Sequence, residues 1–447
     1  ELIERLTFRV AELERQLRAN SSNSSRPPSS DAPWAKQPAK ARSGRQRSGR
    51  KPGKQPGAPG TSRCLVDDPD QLVLLEPLTC QGCHEPLDGV RGSVAERRQV
   101  IDLPPIPAPV VTEYQLMAKT CPCCGTVTTA DFDAAATGET RDLADLNTAV
   151  LRGPGSPVRI GPRALAMCAL LTCGHYLPVA RATALLETMT GLHVATGFTA
   201  GVRSRAATIL LATFVPHMIT LLHRAPVLHA DETTGRANQA LAFVHVACTD
   251  YLTLMHVGGR SSADIDAGGV LPGFTGTLVR DGYAGYEHLP AMHAWCGAHL
   301  LRDLRALSDA DPHGQLWALA MAQTLTDANT AAGHARATAA THLPPDTLTH
   351  LLARYTGALA KGHTDNLDQP SDLARKARTL IRRFRRYQDM ILRFVTDLSV
   401  PFTNNQAERD IRPVKIQQRT SGGTWRTLQG LTDFATIHSY LSTTKKW

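Results

Sequence analysis

No apolar run in the 447-residue sequence approaches the roughly 20 residues that a membrane-spanning helix needs, and no signal peptide opens it. A membrane protein is therefore not expected, and the cytoplasm is the expected compartment. Aromatic residues are scarce, at 5%, and the Ala, Leu and Arg found in their place favour helix. Disulfide pairing is not indicated for the 10 cysteines, because four of them stand in two short C-x-x-C pairs that read as metal ligands. The length exceeds what one small core organises, so a multidomain chain is expected.

The N-terminal seventh has little negative charge. Residues 1–63 hold 14 Lys/Arg against 5 Asp/Glu, which is the whole net excess of +9, and the remainder is balanced at 35 against 35. A basic arm on a neutral body suits a polyanion, nucleic acid first. The cations of its polybasic centre are Lys36, Lys40, Arg42, Arg45, Arg47, Arg50, Lys51 and Lys54. They lie among Ser, Pro and Gly ("NSSNSSRPPSSD", "KARSGRQRSGRKPGKQPGAPG"), a composition that cannot bury enough surface to fold alone. Residues 20–63 therefore read as a disordered basic linker. Ahead of it, Ile3, Leu6, Val10, Leu13 and Leu17 follow a heptad seam. Residues 1–19 read as a leucine-zipper-like coiled-coil helix that joins copies of the chain, although so short a coil is marginal in isolation.

Two C-x-x-C pairs follow, Cys80 with Cys83 and Cys121 with Cys124. Four thiolates suit one tetrahedral Zn2+. The intervening "ERRQVIDLP" and "VVTEYQLMAKT" alternate like the strands of a zinc ribbon. Residues 64–130 are expected to form a zinc-ribbon-like domain with one structural zinc. Cys123 is a spare ligand, and Cys64, Cys168, Cys173, Cys248 and Cys296 read as buried thiols.

Residues 155–225 read as three or four short helices, either a DNA-binding helix-turn-helix-like bundle or a plain helical spacer. The period then changes. "APVLHADET" is a short apolar strand ending on Asp231 and Glu232, "ALAFVHVAC" and "YLTLMHVGG" form a hairpin, "SADIDAGGVLP" is helical, and "GTLVRDGYAGY" is a strand ending on Asp281. Residues 300–398 are helical again and include "ARKARTLIRRFRRYQDMILRFV", whose cations face either DNA or solvent.

Near the end, "PFTNNQAERDIRPVKIQQRTSGG" surrounds Glu408 with Arg409, Arg412, Lys415 and Arg419. A surface salt bridge from Glu408 to Arg412, spaced i,i+4, is the plain reading. The sharper one joins Glu408 to Asp231 and Asp281. Two strand-borne aspartates and a helix-borne glutamate are how an RNase H-like fold holds two divalent ions about 4 Å apart for in-line phosphoryl transfer. Spacing alone is unspecific among 40 acidic residues.

The local words are specific. "HADET", "DGYAGY" and "NNQAERDIRPVKIQQRTSGG" together resemble the DDE transposases of the insertion-sequence-66 family. The likeness continues upstream, in order, through "GPRALAMCALL…HYLPVARATALL", the cysteine pairs, the linker segments and the zipper-like helix, and so covers nearly the whole chain. It implies that Asp231, Asp281 and Glu408 are the catalytic triad and hold two Mg2+ ions, with Mn2+ as a substitute. It implies zinc at Cys80, Cys83, Cys121 and Cys124. The implied fold is multidomain α+β: an RNase H-like α/β core made of 226–299 and 399–447, interrupted by a helical insertion at 300–398. The implied activity is Mg-dependent DNA cleavage at the element ends and strand transfer, with Arg409, Arg412, Lys415 and Arg419 on the DNA backbone.

The implied partners are double-stranded DNA (element ends and target), further copies of the chain in a homo-oligomer on DNA, and accessory element-encoded proteins. The setting is the bacterial cytoplasm, at the nucleoid. Neighbouring residues on a strand face opposite sides, so only one of Asp231 and Glu232 can reach the metals; the match selects Asp231, and Glu232→Gln is expected to be nearly silent. "WCGAHLLRDL" departs from the W-A-H-A-R-R of many relatives, and leaves His299 either at DNA or the active site, or in packing. The chain opens on Glu1 rather than Met and closes at Trp447, short of the family's usual extent, as an incomplete or decaying copy would. The alternative function is therefore a non-catalytic DNA-binding protein derived from such a copy.

Overall fold

The computed structural model describes residues 64–130 and 158–447, apart from Gln239. The zipper-like helix and the basic linker, with its eight cations from Lys36 to Lys54, lie outside the described residues. Those described fall into two compact units, one ending at Pro107 and the other running from Ala108 to Trp447.

In the first unit, residues 96–104 form no strand, contrary to the ribbon expectation. Alternation alone cannot make a strand without a face to bury, and Val100 is 95% exposed. Among the described residues of this unit, the one pairing is the bridge between Thr79 and Pro86 that closes the Cys80–Cys83 turn. In the second unit, pairing within 110–120 is confined to β1 (Ala118–Thr120), which joins β2 (Val127–Thr129) in a hairpin around Cys121–Cys124. Cys64 is exposed, because the irregular segment around it offers nothing to bury it, whereas Cys168, Cys173, Cys248 and Cys296 are buried.

Four helices follow: α1 (Pro162–Ala169, extended by a wider turn to Gly174), α2 (Val179–Thr190), α3 (Thr196–Ala212) and α4 (Phe214–His223). Proline sets two of the starts, at Pro162 and Pro178, since its missing N–H costs nothing there. Gly191, with φ 71°, closes α2 in the left-handed conformation.

The central sheet comprises β3 (Val227–Ala237), β4 (Ala240–Cys248), β5 (Thr253–Gly258), β6 (Thr277–Arg280) and β7 (Met292–Trp295). The spatial order is β5-β4-β3-β6-β7. The first three strands form an antiparallel meander; β6 runs parallel to β3, and β7 parallel to β6. Between β5 and β6, α5 (Ser262–Asp266) starts on a reciprocal capping box of Ser261 and Asp264. β3 does not end at Asp231 and Glu232. It continues as the partner of β4, from His229–Cys248 to Ala237–Ala240, and turns at Asn238, whose φ is 48°.

Helices α6 (Gly297–Ala310), α7 (Leu316–Ala337), α8 (Pro345–Asn366), α9 (Asp372–Arg386), α10 (Gln388–Ile391) and α11 (Arg393–Thr396) come next. Their apolar faces, with Trp317, Tyr355 and Phe384 fully buried, form one cluster with Val279, Ala294 and Trp295 of β6 and β7. The helical segment is thus an extension of the sheet's β7 side and shares its core. The chain then returns through α12 (Asn405–Thr420) and α13 (Leu428–Lys446). These pack on one sheet face through Val244, Val246, Ala407, Ile411 and Phe434, while Leu228, Ala230 and Leu278 pack on the other with α4 and α5. A buried ion pair fixes the returning helices: Asp410 of α12 accepts from Lys446 Nζ of α13 at 2.6 Å and from Thr253 Oγ1 of β5 at 2.8 Å. No single described helix is long and apolar enough to cross a membrane.

Burial also fixes two neutral imidazoles. His256 of β5, stacked on His245 at 4.7 Å, is held down at about 4 by burial and then by His245. His438 of α13, stacked on Phe434 at 5.3 Å, is likewise lowered to about 4, by burial and then Lys445. Both folded values lie below the unfolded value of about 6.5. Between these limits the unfolded chain binds more protons, so stability falls as pH is lowered. Thermal melts should show a midpoint that drops steadily from pH 7 to pH 4.5. His438→Phe, which keeps the stack on Phe434, should flatten part of that drop.

Candidate active site

The parallel register places the two aspartates. His229 of β3 is level with Val279 of β6, and Asp231 and Asp281 each lie two residues further along. Side chains two apart share a sheet face, so both carboxylates emerge on the same side, one strand spacing apart. That side is covered by α12, whose first turn carries Glu408.

Asn404, just ahead of α12 and 1% exposed, sets that helix against the strand. Its Oδ1 accepts from His229 Nδ1 at 3.0 Å, its Nδ2 donates to the Ala230 carbonyl at 2.7 Å, and its backbone N–H donates to Cys296 Sγ at 3.2 Å. Glu408 N–H then donates to the Asn404 carbonyl at 3.2 Å. The backbone just before Asp231 and the start of the Glu408 helix are thereby tied through one amide side chain. Nothing local in "NNQAER" reveals this, because the partners lie 174 and 175 residues away.

Among the described residues, no Lys or Arg lies within ion-pair distance of Asp231, Asp281 or Glu408. The i,i+4 bridge from Glu408 to Arg412 is not formed. Burial, then the carboxylates of Glu232 and Asp281, and more weakly Glu408, push the Asp231 pKa well above the usual carboxylate range. One oxygen of each aspartate is fixed by a backbone N–H at 2.9 Å: Asp231 Oδ1 by that of Glu232, and Asp281 Oδ1 by that of Tyr283. The Oδ2 atoms are left free. Carboxylate oxygens with open lone pairs are a donor set that fits hard divalent cations, although Asp231, Asp281 and Glu408 do not all bring ligand atoms within 4.8 Å of one another. Beside them, Cys296, His299 and Glu408 bring ligand atoms within 4.8 Å of one another, and His299 Nδ1 is buried without a hydrogen-bond partner. His299 therefore stands at Glu408.

Arg409, Arg412 and Arg419 are exposed on α12. Lys415 is different: it is half-buried, and its Nζ donates to the Thr234 carbonyl and hydroxyl of β3. Burial, then Arg419 and Arg236, lower its pKa to about 8. From the other side, Arg383 of α9 pairs with Asp303 at 3.3 Å and lies over Trp295. A Cβ on Gly282 would meet Arg383 Nη2, the mobile end of that side chain, at 2.8 Å, which shows how closely α9 approaches the residue after Asp281.

The two cysteine turns, one in each unit, share a design. Cys80 N–H donates to Glu85 O and His84 N–H to Cys80 O; Cys121 N–H donates to Thr126 O and Gly125 N–H to Cys121 O, all at 2.9 Å. The residue four after the first cysteine is left-handed in both, His84 at φ 62° and Gly125 at φ 73°. Backbone N–H groups of Cys83 and Gly82 lower the Cys80 pKa, and the Thr126 hydroxyl and N–H lower that of Cys124. Turns that favour thiolates suit a soft metal.

Residues 157–433 match the family model described as Transposase IS66 family. Residues 1–64 match a family of unknown function, DUF6444. No curated protein matches the chain.

Removing the Asn404 amide strands the His229 Nδ1–H and the Ala230 carbonyl inside the protein. Asn404→Ala should lower stability by about 2–4 kcal/mol, measured by urea unfolding. Asn405→Ala, at an exposed neighbour, should stay within about 0.5 kcal/mol of the parent.

Proposed function

The chain belongs to the transposase IS66 family, and we propose that it cleaves DNA at the ends of its element and joins the freed 3′-OH to target DNA, with Asp231, Asp281 and Glu408 holding two Mg2+ ions. The observation that carries this reading is the parallel register that sets Asp231 level with Asp281 beneath the Glu408 turn, all three without a cationic partner. The strand order, an antiparallel meander followed by two parallel strands, supports an RNase H-like core built from 226–299 and 399–447 around the insertion at 300–398.

Mg2+ ions bound there supply an activated oxygen nucleophile and neutralise charge on the scissile phosphate. Asp231, buried in the field of the other carboxylates, would hold the metal together with Asp281 and Glu408. Arg409, Arg412 and Arg419 present guanidinium groups along α12 for the phosphate backbone. Lys415 acts chiefly as a brace between α12 and β3. The basic arm adds sequence-independent DNA affinity, and the zipper-like helix joins copies of the chain into a homo-oligomer on DNA. Cys80 with Cys83, and Cys121 with Cys124, serve as thiolate pairs for structural zinc. Accessory element-encoded proteins complete the set of partners.

Asp231→Asn, Asp281→Asn and Glu408→Gln keep size and shape but remove metal-binding charge. Each should retain DNA affinity and lose cleavage and joining by about three or more orders of magnitude, scored on labelled element ends with Mg2+. Retained activity in all three would contradict the triad. Purified protein should contain about one zinc per chain by elemental analysis, and the pair Cys80→Ser with Cys83→Ser should lose it. Metal kept by that pair would place the ligands elsewhere.

A further inference from the structure

Glu232 does point away from Asp231, as strand alternation requires, yet it is no bystander. Its side chain is 4% exposed, and both carboxylate oxygens are occupied. Oε1 accepts from Arg260 Nε at 3.0 Å and Nη2 at 2.8 Å, and Oε2 accepts from the Tyr286 hydroxyl at 2.6 Å. Both oxygens of Glu232 are thus committed to Arg260 and Tyr286, on the strand face opposite Asp231.

What these contacts join is informative. The Arg260 guanidinium lies 4.1 Å from the centre of the Tyr283 ring, and its carbonyl accepts from the Tyr283 hydroxyl at 2.7 Å. Tyr283 N–H in turn donates to Asp281 Oδ1. Tyr286, 1% exposed, meets Tyr283 edge-on at 6.0 Å. A continuous path thus runs from Asp231 Oδ1, through the Glu232 N–H and carboxylate, to Arg260, Tyr283 and Asp281 Oδ1. Both tyrosines of "DGYAGY" and the glutamate of "HADET" are accounted for by it.

We infer that Glu232 is a positioning residue: with Arg260, Tyr283 and Tyr286 it locks the Asp281 turn to β3, so that the two aspartates offer their free Oδ2 atoms to metal as one rigid pair. The inference rests on the proposed role of Asp231 and Asp281. It reverses the expectation that Glu232→Gln would be silent. Partners that orient metal ligands govern metal affinity as well as rate, so the effect belongs first to the metal requirement.

The test is a Mg2+ titration of DNA cleavage by the full chain carrying Glu232→Gln, Tyr286→Phe or Tyr283→Phe, with Asp231→Asn and Asp281→Asn alongside. Glu232→Gln and Tyr286→Phe should raise the half-saturating Mg2+ concentration about ten-fold or more, with cleavage partly rescued at high Mg2+. The double variant should be no worse than Glu232→Gln alone, because both act on one path. Tyr283→Phe, which keeps the ring under Arg260, should have a smaller effect in the same direction. A lowered melting temperature with an unchanged Mg2+ requirement in all three would reduce the network to structural support and overturn the inference. Should Glu232→Gln not fold, Tyr286→Phe decides. Full cleavage by Asp231→Asn and Asp281→Asn would instead remove the triad reading beneath it.

Discussion

Burial of neighbouring carboxylates, reinforced by their mutual repulsion, is the constraint around which this fold is arranged. Two unit charges about 5 Å apart, the spacing of adjacent strands, repel by about 3 kcal/mol at an effective dielectric constant of about 20. Asp231 and Asp281 occupy such neighbouring positions with Glu408 above them; no described Lys or Arg lies within ion-pair distance, and Arg260 and Arg280 act on Asp281 only from further away. Such a cluster persists only if its surroundings leave it no freedom to relax. The rest of the unit supplies that restraint. Asn404 ties the start of α12 to β3, Asp410 ties the same helix to α13 and β5, and Lys415 braces its C-terminal half. The destabilised site and its rigid frame belong together, as at other sites that store strain for function.

The helical segment between the second aspartate and the glutamate is more than a spacer. Its core is continuous with β6 and β7, and Arg383 of α9 reaches Gly282, next to Asp281. Lys376, Arg382, Arg385 and Arg386 of α9 lie beyond the buried face of Ala377, Leu380, Ile381 and Phe384. Apolar packing thus sets the position of a helix that approaches Asp281 through Arg383 and presents its other cations to solvent.

Much of this was legible in the sequence. The hairpin of β4 and β5, the strand leading to Asp281 and the later helices follow from periodicity, because each buries one face. Where periodicity had no face to serve, it misled: "ERRQVIDLP" alternates yet forms no strand, and Val100 remains exposed. The end of β3 reads too early because polar Glu232, Thr233 and Thr234 do not look like strand interior; they pair with β4 nonetheless. Asn404 and Glu232 were the roles least available to reading. Each acts through partners distant in sequence, and a buried amide or carboxylate is spelled like an exposed one. The words "NNQAER" and "HADET" mark the neighbourhood of the site but not these contacts.

The central claim is that the three carboxylates form a metal site, and locating the metal tests it most directly. Crystals of the full chain soaked in Mn2+ would show the ions by anomalous scattering. The account predicts two Mn2+ ions that share Asp231, one also bound by Asp281 and the other by Glu408. Mn2+ confined to the Cys296, His299 and Glu408 group, or ions absent from both aspartates at saturating Mn2+, would contradict it.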